Sequence, residues 1–381
     1  MPVPAKPRLL IIAFTDPKRD PRVYRQLGVL VDRWDIVLCT CGSLDMPGVR
    51  CIELVGGNEP FAPLIGHFIT AFRAYERAYW HRSLVRQALG LLKSLDPDVI
   101  LANDIETLPL ALKVARSRTR VVLDAHEYEP RHWDDQWLFD TVYRPYWDYI
   151  CRTYLPHVDG MVSVSPRLAE EYSRNYNVNC GVIMNTPDYQ VLSPSETHES
   201  EVRVIHHGGI NPSRKIENMM HVVGALGPRF SLDLMLINNH KRYMKYLRRE
   251  ASKYNNIRFV DPVPMPDIAR TINKYDMGIF MLHPGAFNYR YSLPNKLFEY
   301  IQARLAIAIW PSPEMSKIVT GDGLGVVSSE YTNSSMSSCL GQVTAADIRQ
   351  FKTNSDRAAR KYSSEVESVR YRDLVESGST D

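Results

Sequence analysis

Short apolar runs alternate with helical patterns along this chain, and the alternation occurs twice. The runs in the first half are residues 9–14, 35–41, 49–55, 99–102, 121–124 and 160–164, and those in the second half are 202–206, 231–237, 257–260, 277–281, 306–309 and 325–327. Most are almost continuously apolar, which is typical of parallel strands covered by helices on both faces. The sequence therefore predicts an α/β protein with two doubly wound sheets.

A polar stretch separates the two halves, and the length of 381 residues suits two domains. We expect an N-terminal domain over residues 1–190, a linker over 191–201 and a C-terminal domain over 202–345. Residues 346–381 are predicted to form a C-terminal helix, which can cross back to the first domain, followed by a polar tail that frays after residue 366. Residues 328–338 are rich in Ser, Thr and Asn and are predicted to form a loop.

Composition and charge exclude several classes of function. Lys and Arg number 46 against 43 for Asp and Glu, so the net charge is +3, and no nucleic-acid partner is expected. The six cysteines include no Cys-x-x-Cys pair, which favours free thiols in a reducing cytosol. No apolar run reaches about 18 residues and no secretion signal is present, so we expect a cytoplasmic protein.

Neither a dinucleotide fingerprint nor a metal site is indicated. The first strand is followed by residues 15–21, Thr-Asp-Pro-Lys-Arg-Asp-Pro, and not by a Gly-x-Gly-x-x-Gly turn. Asp96 and Asp98 flank a proline, which favours a turn over a pair of metal ligands. We therefore expect no metal and no bound cofactor.

One candidate anion site is a glycine turn that follows the first strand of the second half, after residue 206, and leads into a helix. Gly208 and Gly209 allow a ligand to approach the backbone closely, and Arg214 and Lys215 add positive charge near a helix start. This arrangement suits a phosphate or diphosphate. The alternative is a tight turn with solvated basic side chains.

A second motif lies at residues 291–302, where Pro294 is placed to begin a helix. Asn295 and Lys296 then have free backbone N–H groups, and Lys296 shares a helix face with Glu299. Lys296 can reach a phosphate, and Glu299 can accept both hydroxyls of a ribose. The alternative is an ion pair on a surface helix.

Together these motifs resemble glycosyltransferases of the GT-B fold, close to family 4. The second half carries Gly-Gly-x4-Arg-Lys and Leu-Pro-Asn-Lys-Leu-Phe-Glu-Tyr, and the first half has similar loops at residues 20–25, 103–104 and 124–128. The resemblance covers roughly residues 8–330. It implies two Rossmann-like domains facing a central cleft, with the donor bound mainly by the C-terminal half and the acceptor by the N-terminal half.

The resemblance also implies roles for individual residues. The residues it implies for catalysis are His126, Arg214 and Lys296. Those implied for donor binding are Gly208, Gly209, Lys215, Asn288, Tyr289, Leu293, Pro294, Asn295 and Glu299. Those implied for acceptor binding are Asp16, Arg22, Asp104 and Glu127.

The reaction implied is transfer of a sugar from a nucleoside diphosphate sugar to a hydroxyl acceptor, without a metal and with retention. The acceptor would be a glycan or a lipid-linked molecule in cell-surface polysaccharide or glycolipid synthesis. Two positions depart from the family: no acid stands at the start of the Glu-x7-Glu pair that would end at Glu299, and Gly209 replaces an arginine. A sugar-nucleotide epimerase and an inactive scaffold or binding subunit therefore stay open as alternatives.

Residues 61–93 combine aromatic and basic side chains with few acids. Such a segment can lie on an anionic membrane surface, which would make the protein peripheral at the inner membrane. The alternative is an amphipathic helix packed on the sheet with a solvated basic face.

Overall fold

Two parallel sheets organise the chain in the computed structural model, which describes residues 6–56, 70 and 72–377. The first unit comprises Met1–Met184, Ala286–Asn288 and Glu367–Asp381, and the second comprises Asn185–Gly285 and Tyr289–Val366. The predicted class, two doubly wound α/β domains, is confirmed.

The sheet of the first unit has the strand order β3-β2-β1-β4-β5-β6-β7, and its strand pairs are parallel. Its strands are β1 (Arg8–Ala13), β2 (Asp35–Thr40), β3 (Val49–Glu53), β4 (Val99–Asn103), β5 (Arg120–Ala125), β6 (Gly160–Ser163) and β7 (Cys180–Val182). Its helices up to residue 184 are α1 (Pro21–Leu30), α2 (Tyr75–His81), α3 (Ser83–Leu92), α4 (Leu108–Val114), α5 (Arg144–Tyr154) and α6 (Pro166–Tyr176).

Local sequence explains the position of α1 in this unit. The Asp20 side chain caps the helix by accepting the backbone N–H groups of Arg22 and Val23, and Pro21 stands at the first helical position. Val23, Leu27 and Leu30 recur at helical spacing and are buried against the sheet.

The sheet of the second unit has the order β10-β9-β8-β11-β12-β13, again with parallel pairs. Its strands are β8 (Val202–Gly209), β9 (Phe230–Ile237), β10 (Ile257–Val260), β11 (Met277–Phe280), β12 (Ala306–Ile309) and β13 (Gly325–Val327). The helices that follow in the chain are α7 (Glu217–Ala225), α8 (Lys241–Ala251), α9 (Ile268–Ile272), α10 (Phe287–Tyr291), α11 (Asn295–Gln302), α12 (Pro313–Gly321), α13 (Asn333–Gly341), α14 (Ala345–Ala358) and α15 (Ser364–Ser377).

The strand order reverses once in each sheet, between β1 and β4 in the first and between β8 and β11 in the second. In open parallel sheets, ligands bind outside the carboxyl ends of the strands at such a reversal. Functional residues are therefore expected in the loops after β1, β4 and β5 of the first sheet and after β8 and β11 of the second.

Two predictions near the C-terminus were wrong. The predicted loop at residues 328–338 contains the start of α13, which Thr332 caps and which buries Met336 and Leu340. The predicted frayed tail forms α15, because its otherwise polar sequence places Tyr371, Leu374 and Val375 in the core of the first unit.

The linker predicted at 191–201 belongs to the second unit, since the chain passes between units after Met184. Ser195 fixes this stretch: its hydroxyl donates to the carbonyl of Asn273 at 2.6 Å and accepts from Lys352 Nζ at 2.9 Å. Polar composition alone therefore misplaced the boundary. Of the helices in the described part of the chain, none is long and apolar enough to cross a membrane.

Gly325→Ala tests the close packing of β12 and β13. A Cβ at Gly325 would lie 1.9 Å from the carbonyl oxygen of Ile307, so the strands must separate. We expect the unfolding free energy to fall by about 3 kcal/mol, measured by thermal and urea unfolding. Gly321→Ala is the control, since no atom lies within 4 Å of its added Cβ. Equal stability of the two variants would contradict this packing.

Candidate functional site

The carboxyl end of β8 holds the first cluster of predicted site residues. The strand continues through Gly208 and Gly209, where the sequence predicted a turn. Gly208 has φ +112°, and a Cβ there would lie 2.7 Å from Lys296 Nζ. The positive φ favours glycine here, and the absence of a Cβ leaves room for the end of the Lys296 side chain.

Lys296 reaches this place because α11 begins beside the strand. Pro294 is the N-cap residue, Asn295 and Lys296 form the first turn, and Leu293 is buried before them. The Lys296 ammonium also lies 5.6 Å from the centre of the Phe280 ring, at the end of β11. The loop after β8 and the helix after β11 thus meet at the reversal in the strand order.

The cationic side chains of Lys296 and Arg214 both lie at the carboxyl end of β8. Burial, and then the charge of Arg214, lower the pKa of Lys296 to about 8, while Glu299 acts in the opposite direction. Arg214 has a buried Nε without a hydrogen-bond partner among the described residues, and its Nη1 lies 3.5 Å from the carbonyl oxygen of Gly209. Like charges held this close favour an anionic ligand, which would neutralise both.

Glu299 lies one turn further along α11 and is nearly buried. His207 Nε2 lies 3.4 Å from Glu299 Oε2, and burial lowers the pKa of His207 well below its ordinary value, so the ring is neutral at pH 7. The neighbouring His206 is anchored by its Nδ1, 3.0 Å from the carbonyl oxygen of Ile279. Sequence inspection missed both histidines, which lie in the apolar strand β8.

The other predicted donor residues of this unit lie at its surface. Lys215 is exposed and has φ +46°, directly after the short helical turn Pro212–Arg214. The Tyr289 hydroxyl lies 3.1 Å from the Ser213 hydroxyl in the same loop. Their contact with a donor remains a prediction.

In the first unit, Asp104 follows β4 with strained backbone geometry. Its φ of 64° and ψ of 152° lie in a region that is almost exclusive to glycine. Its N–H donates to the carbonyl of Asp124, and its Oδ1 accepts the N–H of His126, both at 2.9 Å. Burial, and then Glu129 and Glu106, raise the pKa of Asp104 to about 8. Such strain is typical of functional positions.

His126 follows β5 directly. Burial, and then the charge of Arg22, lower its pKa, so it is a neutral imidazole at pH 7. Arg22 is itself buried and forms an ion pair with Asp124. The Asp124 carboxylate also accepts hydrogen bonds from Gln26 at 2.7 Å and the Tyr371 hydroxyl at 2.7 Å. Arg22, predicted to bind the acceptor, is thus engaged within the protein, because α1 directs it beneath the sheet edge.

The Glu127 carboxylate, at the same edge, is held by two side chains. His132 Nε2 lies 2.9 Å from Glu127 Oε2, and the Asn288 amide donates to the same oxygen at 3.1 Å. Burial alone would raise the pKa of Glu127, but the hydrogen bond and charge of His132, together with His126 and the Asn288 hydrogen bond, outweigh it, and the pKa is lowered. Asn288 also accepts the N–H of Tyr128 at 3.1 Å. Asn288, predicted to bind the donor, lies in the first unit with its amide on Glu127 and Tyr128.

His132 is a functional candidate that sequence inspection missed. Its Nδ1 lies 3.3 Å from Glu129, opposite the Glu127 contact. The hydrogen bonds to these two carboxylates overcome burial and raise the pKa of His132 to about 11. The spacing Glu127-x-Glu129-x-x-His132 was the available signal. The last predicted acceptor residue, Asp16, follows β1 and caps its own loop by accepting the N–H of Lys18 at 3.0 Å.

Part of the described aromatic and basic segment packs into the first unit. Tyr79 is buried with its hydroxyl on the Glu106 carbonyl, and Arg82 pairs with the Glu106 carboxylate at 2.7 Å. Phe72, by contrast, is 81% exposed. Residues 61–69 and 71 lie outside the described residues, so the membrane contact stays a prediction.

A pocket of about 490 Å³ opens at the carboxyl end of β13. Hydroxyl groups line much of it, and Ser329 and Ser335 bond each other at 2.9 Å. Glu330 is its charged lining residue. An uncharged or polyhydroxyl molecule suits this pocket better than a diphosphate. In the described ranges, no group of three or more His, Cys, Asp or Glu side chains is placed to hold a metal ion.

The ionisation of His132 is a direct test of the cluster in the first unit. Because the folded-state pKa lies above the ordinary value, the imidazolium is stabilised in the folded protein until the pH rises through about 11. We expect long-range ¹H–¹⁵N NMR to show a charged His132 at pH 8.5, and Glu127→Gln to lower its pKa. A neutral ring at that pH in the wild-type protein would contradict the assignment.

Comparison with known proteins places this geometry in context. The profile of the family described as Glycosyltransferase Family 4 matches residues 30–185. No curated protein sequence matches the chain.

Solved structures match over nearly the whole chain at low sequence identity. Sucrose-phosphate synthase from Thermosynechococcus elongatus has a TM-score of 0.72 at 12% identity and covers 97% of this chain and 98% of its own. Anabaena Alr3699/HepE in complex with UDP-glucose has a TM-score of 0.69 at 13% identity, with 97% and 99% covered. The α,α-trehalose 6-phosphate synthase from Burkholderia multivorans has a TM-score of 0.67 at 12% identity, with 98% and 100% covered. The chain therefore has the GT-B glycosyltransferase fold, and over residues 30–185 it resembles glycosyltransferase family 4.

Proposed function

We propose that the chain is a glycosyltransferase that moves a sugar from a nucleoside diphosphate sugar to a hydroxyl acceptor. The observation that carries this proposal is the pair of cations at Gly208, where Lys296 and Arg214 are held together at the strand reversal. A diphosphate neutralises both, and its negative charge increases when the sugar bond breaks. Fixed cations that stabilise this charge lower the barrier to transfer.

The remaining residues of the second unit complete the proposed donor site. Glu299, one turn after Lys296, is proposed to accept the ribose hydroxyls, and the neutral His207 ring lies 3.4 Å from it. The backbone N–H groups at the start of α11 add further donors to the phosphates. HepE was solved with UDP-glucose, which supports UDP sugars as the first donors to test.

The first unit is proposed to bind the acceptor through Asp104, Glu127 and the neutral His126. Asp104 and Glu127 differ in ionisation: the pKa of Asp104 is raised, and that of Glu127 is lowered. One carboxyl can therefore donate a hydrogen bond to an acceptor hydroxyl while the other accepts one. Arg22 and Asn288 are proposed to position these groups, since both already bond within the protein.

The finer features of the reaction are part of the same proposal. Retention of anomeric configuration is supported by the resemblance to family 4, and metal-independent transfer by the two cations that face the diphosphate. The acceptor is proposed to be a glycan or lipid-linked molecule of a cell-surface pathway, reached from the cytoplasm. Within the described part of residues 61–93, the exposed Phe72, Arg77, Arg86 and Lys93 support a peripheral membrane contact.

Turnover of UDP sugars tests the function. We expect Lys296→Ala and Glu299→Ala to reduce donor turnover by about 100-fold or more, because each removes a charged contact to the donor. The control is Lys274→Ala, an exposed lysine of the second unit. Chelation by EDTA should leave turnover unchanged, and the anomeric coupling in the ¹H NMR spectrum of the product should show retention.

The same assays separate the alternatives. Formation of an epimeric sugar nucleotide without transfer would indicate an epimerase. No thermal shift with UDP, GDP, dTDP or CMP sugars would indicate a scaffold. Full turnover by both site variants would contradict the assignment of the donor residues.

The pH dependence of UDP binding tests the role of Lys296 without an acceptor. The lysine binds phosphate as an ammonium ion, and its pKa in the free protein is about 8. The affinity for UDP is therefore highest below that pH and falls as the pH rises through it. Calorimetry should show this fall, and Lys296→Arg should flatten it, because a guanidinium stays charged. A wild-type affinity for UDP that is constant up to pH 9.5 would contradict this role of Lys296.

A further inference from the structure

The exposed face of α8 in the second unit is unusually basic. Residues 241–254 contain a single acid, Glu250, which is buried and pairs with Lys253 at 2.6 Å. The exposed cations of this helix and its end are Lys241, Arg242, Lys245, Arg248, Arg249 and Lys253. We call this set the α8 basic face.

Helical geometry places these cations on one side. At about 100° per residue, all six lie within an arc of about 140°, over a length of about 18 Å. The opposite side carries Tyr243, Met244, Leu247 and Ala251, which are buried in the core of the second unit. The helix is therefore fixed by its apolar side, and its basic side faces solvent.

Few of these charges are compensated. In the described portion of the chain, Lys241, Arg242, Lys245 and Arg248 have no carboxylate within ion-pair distance. The nearby Glu217 accepts the hydroxyl of the buried Tyr243. Arg248 packs over the Phe259 ring at 4.7 Å, which holds its stem against the protein. The face thus presents a dense positive charge that an extended anionic surface would relieve.

We propose that the α8 basic face docks the protein on an anionic membrane surface. A row of cations on a single straight helix complements the plane of lipid headgroups, and such charges contribute to binding additively. A single-stranded nucleic acid would need exposed rings for base stacking, whereas Tyr246 is half-buried beneath Arg249 at 5.6 Å. The inference goes beyond the proposed transfer reaction and does not require that the chain be an enzyme.

Vesicle co-sedimentation of the full-length protein tests this proposal. The probe is phosphatidylcholine vesicles with about 40% phosphatidylglycerol, compared with pure phosphatidylcholine, at low and high salt. We expect salt-sensitive binding to the anionic vesicles alone. Lys245→Gln/Arg248→Gln/Arg249→Gln should weaken it by about 100-fold, since each cation near such a surface contributes about five-fold.

Three further variants make the test specific. Arg270→Gln/Lys274→Gln/Arg357→Gln removes the same charge from exposed positions off α8 and should bind nearly as the wild type does. Arg248→Lys/Arg249→Lys keeps the charge and should also bind. Arg77→Gln/Arg86→Gln/Lys93→Gln measures the contribution of the basic segment in the first unit.

Several outcomes would overturn the proposal. The first is that the α8 triple variant binds anionic vesicles as tightly as the wild type does, and the second is that the wild type binds neutral and anionic vesicles equally. The third is that only the first-unit variant loses binding. The fourth is that the wild type binds a labelled RNA more tightly than vesicles at the same salt. Each readout is independent of turnover. A protein that binds vesicles but no sugar nucleotide would keep this inference and lose the proposed function.

Discussion

The contact of Lys296 with the backbone of Gly208 is the constraint on which the candidate donor site depends. It holds a half-buried lysine within electrostatic reach of Arg214, and burial together with the charge of Arg214 lowers the pKa of Lys296. Two like charges in such a place cost stability, so they persist only where the fold holds them there. Here the parallel sheet imposes them, because β8 ends at the glycines and α11 starts beside that end. The cost is offset when an anion binds.

The first unit uses the same edge of its sheet for different chemistry. Asp104 and His126 follow β4 and β5, on one side of the strand reversal, and the strained backbone of Asp104 is fixed by hydrogen bonds to Asp124 and His126. Carboxylates dominate there, and the His132 imidazolium keeps Glu127 ionised. The second unit thus has a cationic edge, whereas the first unit has an acidic one.

The sequence predicted the strands and the start of α11 well, because both are local. Buried parallel strands are continuous apolar runs, and Pro294 favours the start of a helix regardless of tertiary contacts. The prediction of a glycine turn after residue 206 was wrong because β8 pairs with β9 through Gly209, a long-range interaction.

Long-range contacts also explain what sequence inspection missed in the site. Composition and spacing do not connect the residues that these contacts join. Examples are the ion pair of Arg22 with Asp124 and the placement of Asn288 in the first unit, beside Glu127. Likewise, α15 was mistaken for a frayed tail because Tyr371, Leu374 and Val375 find their core in strands more than 200 residues away in the chain. In the described part of residues 61–93, Tyr79 packs inward, whereas Arg77, Arg86 and Lys93 are exposed, as is the basic side of α8.

A crystal structure with UDP bound is the most direct test of the central claim. The account predicts the diphosphate within hydrogen-bonding distance of Lys296 Nζ and the Arg214 guanidinium, against the backbone at Gly208 and Gly209, with the ribose at Glu299. A diphosphate bound in the hydroxyl-lined pocket at the end of β13, or bound without contact to either cation, would contradict it.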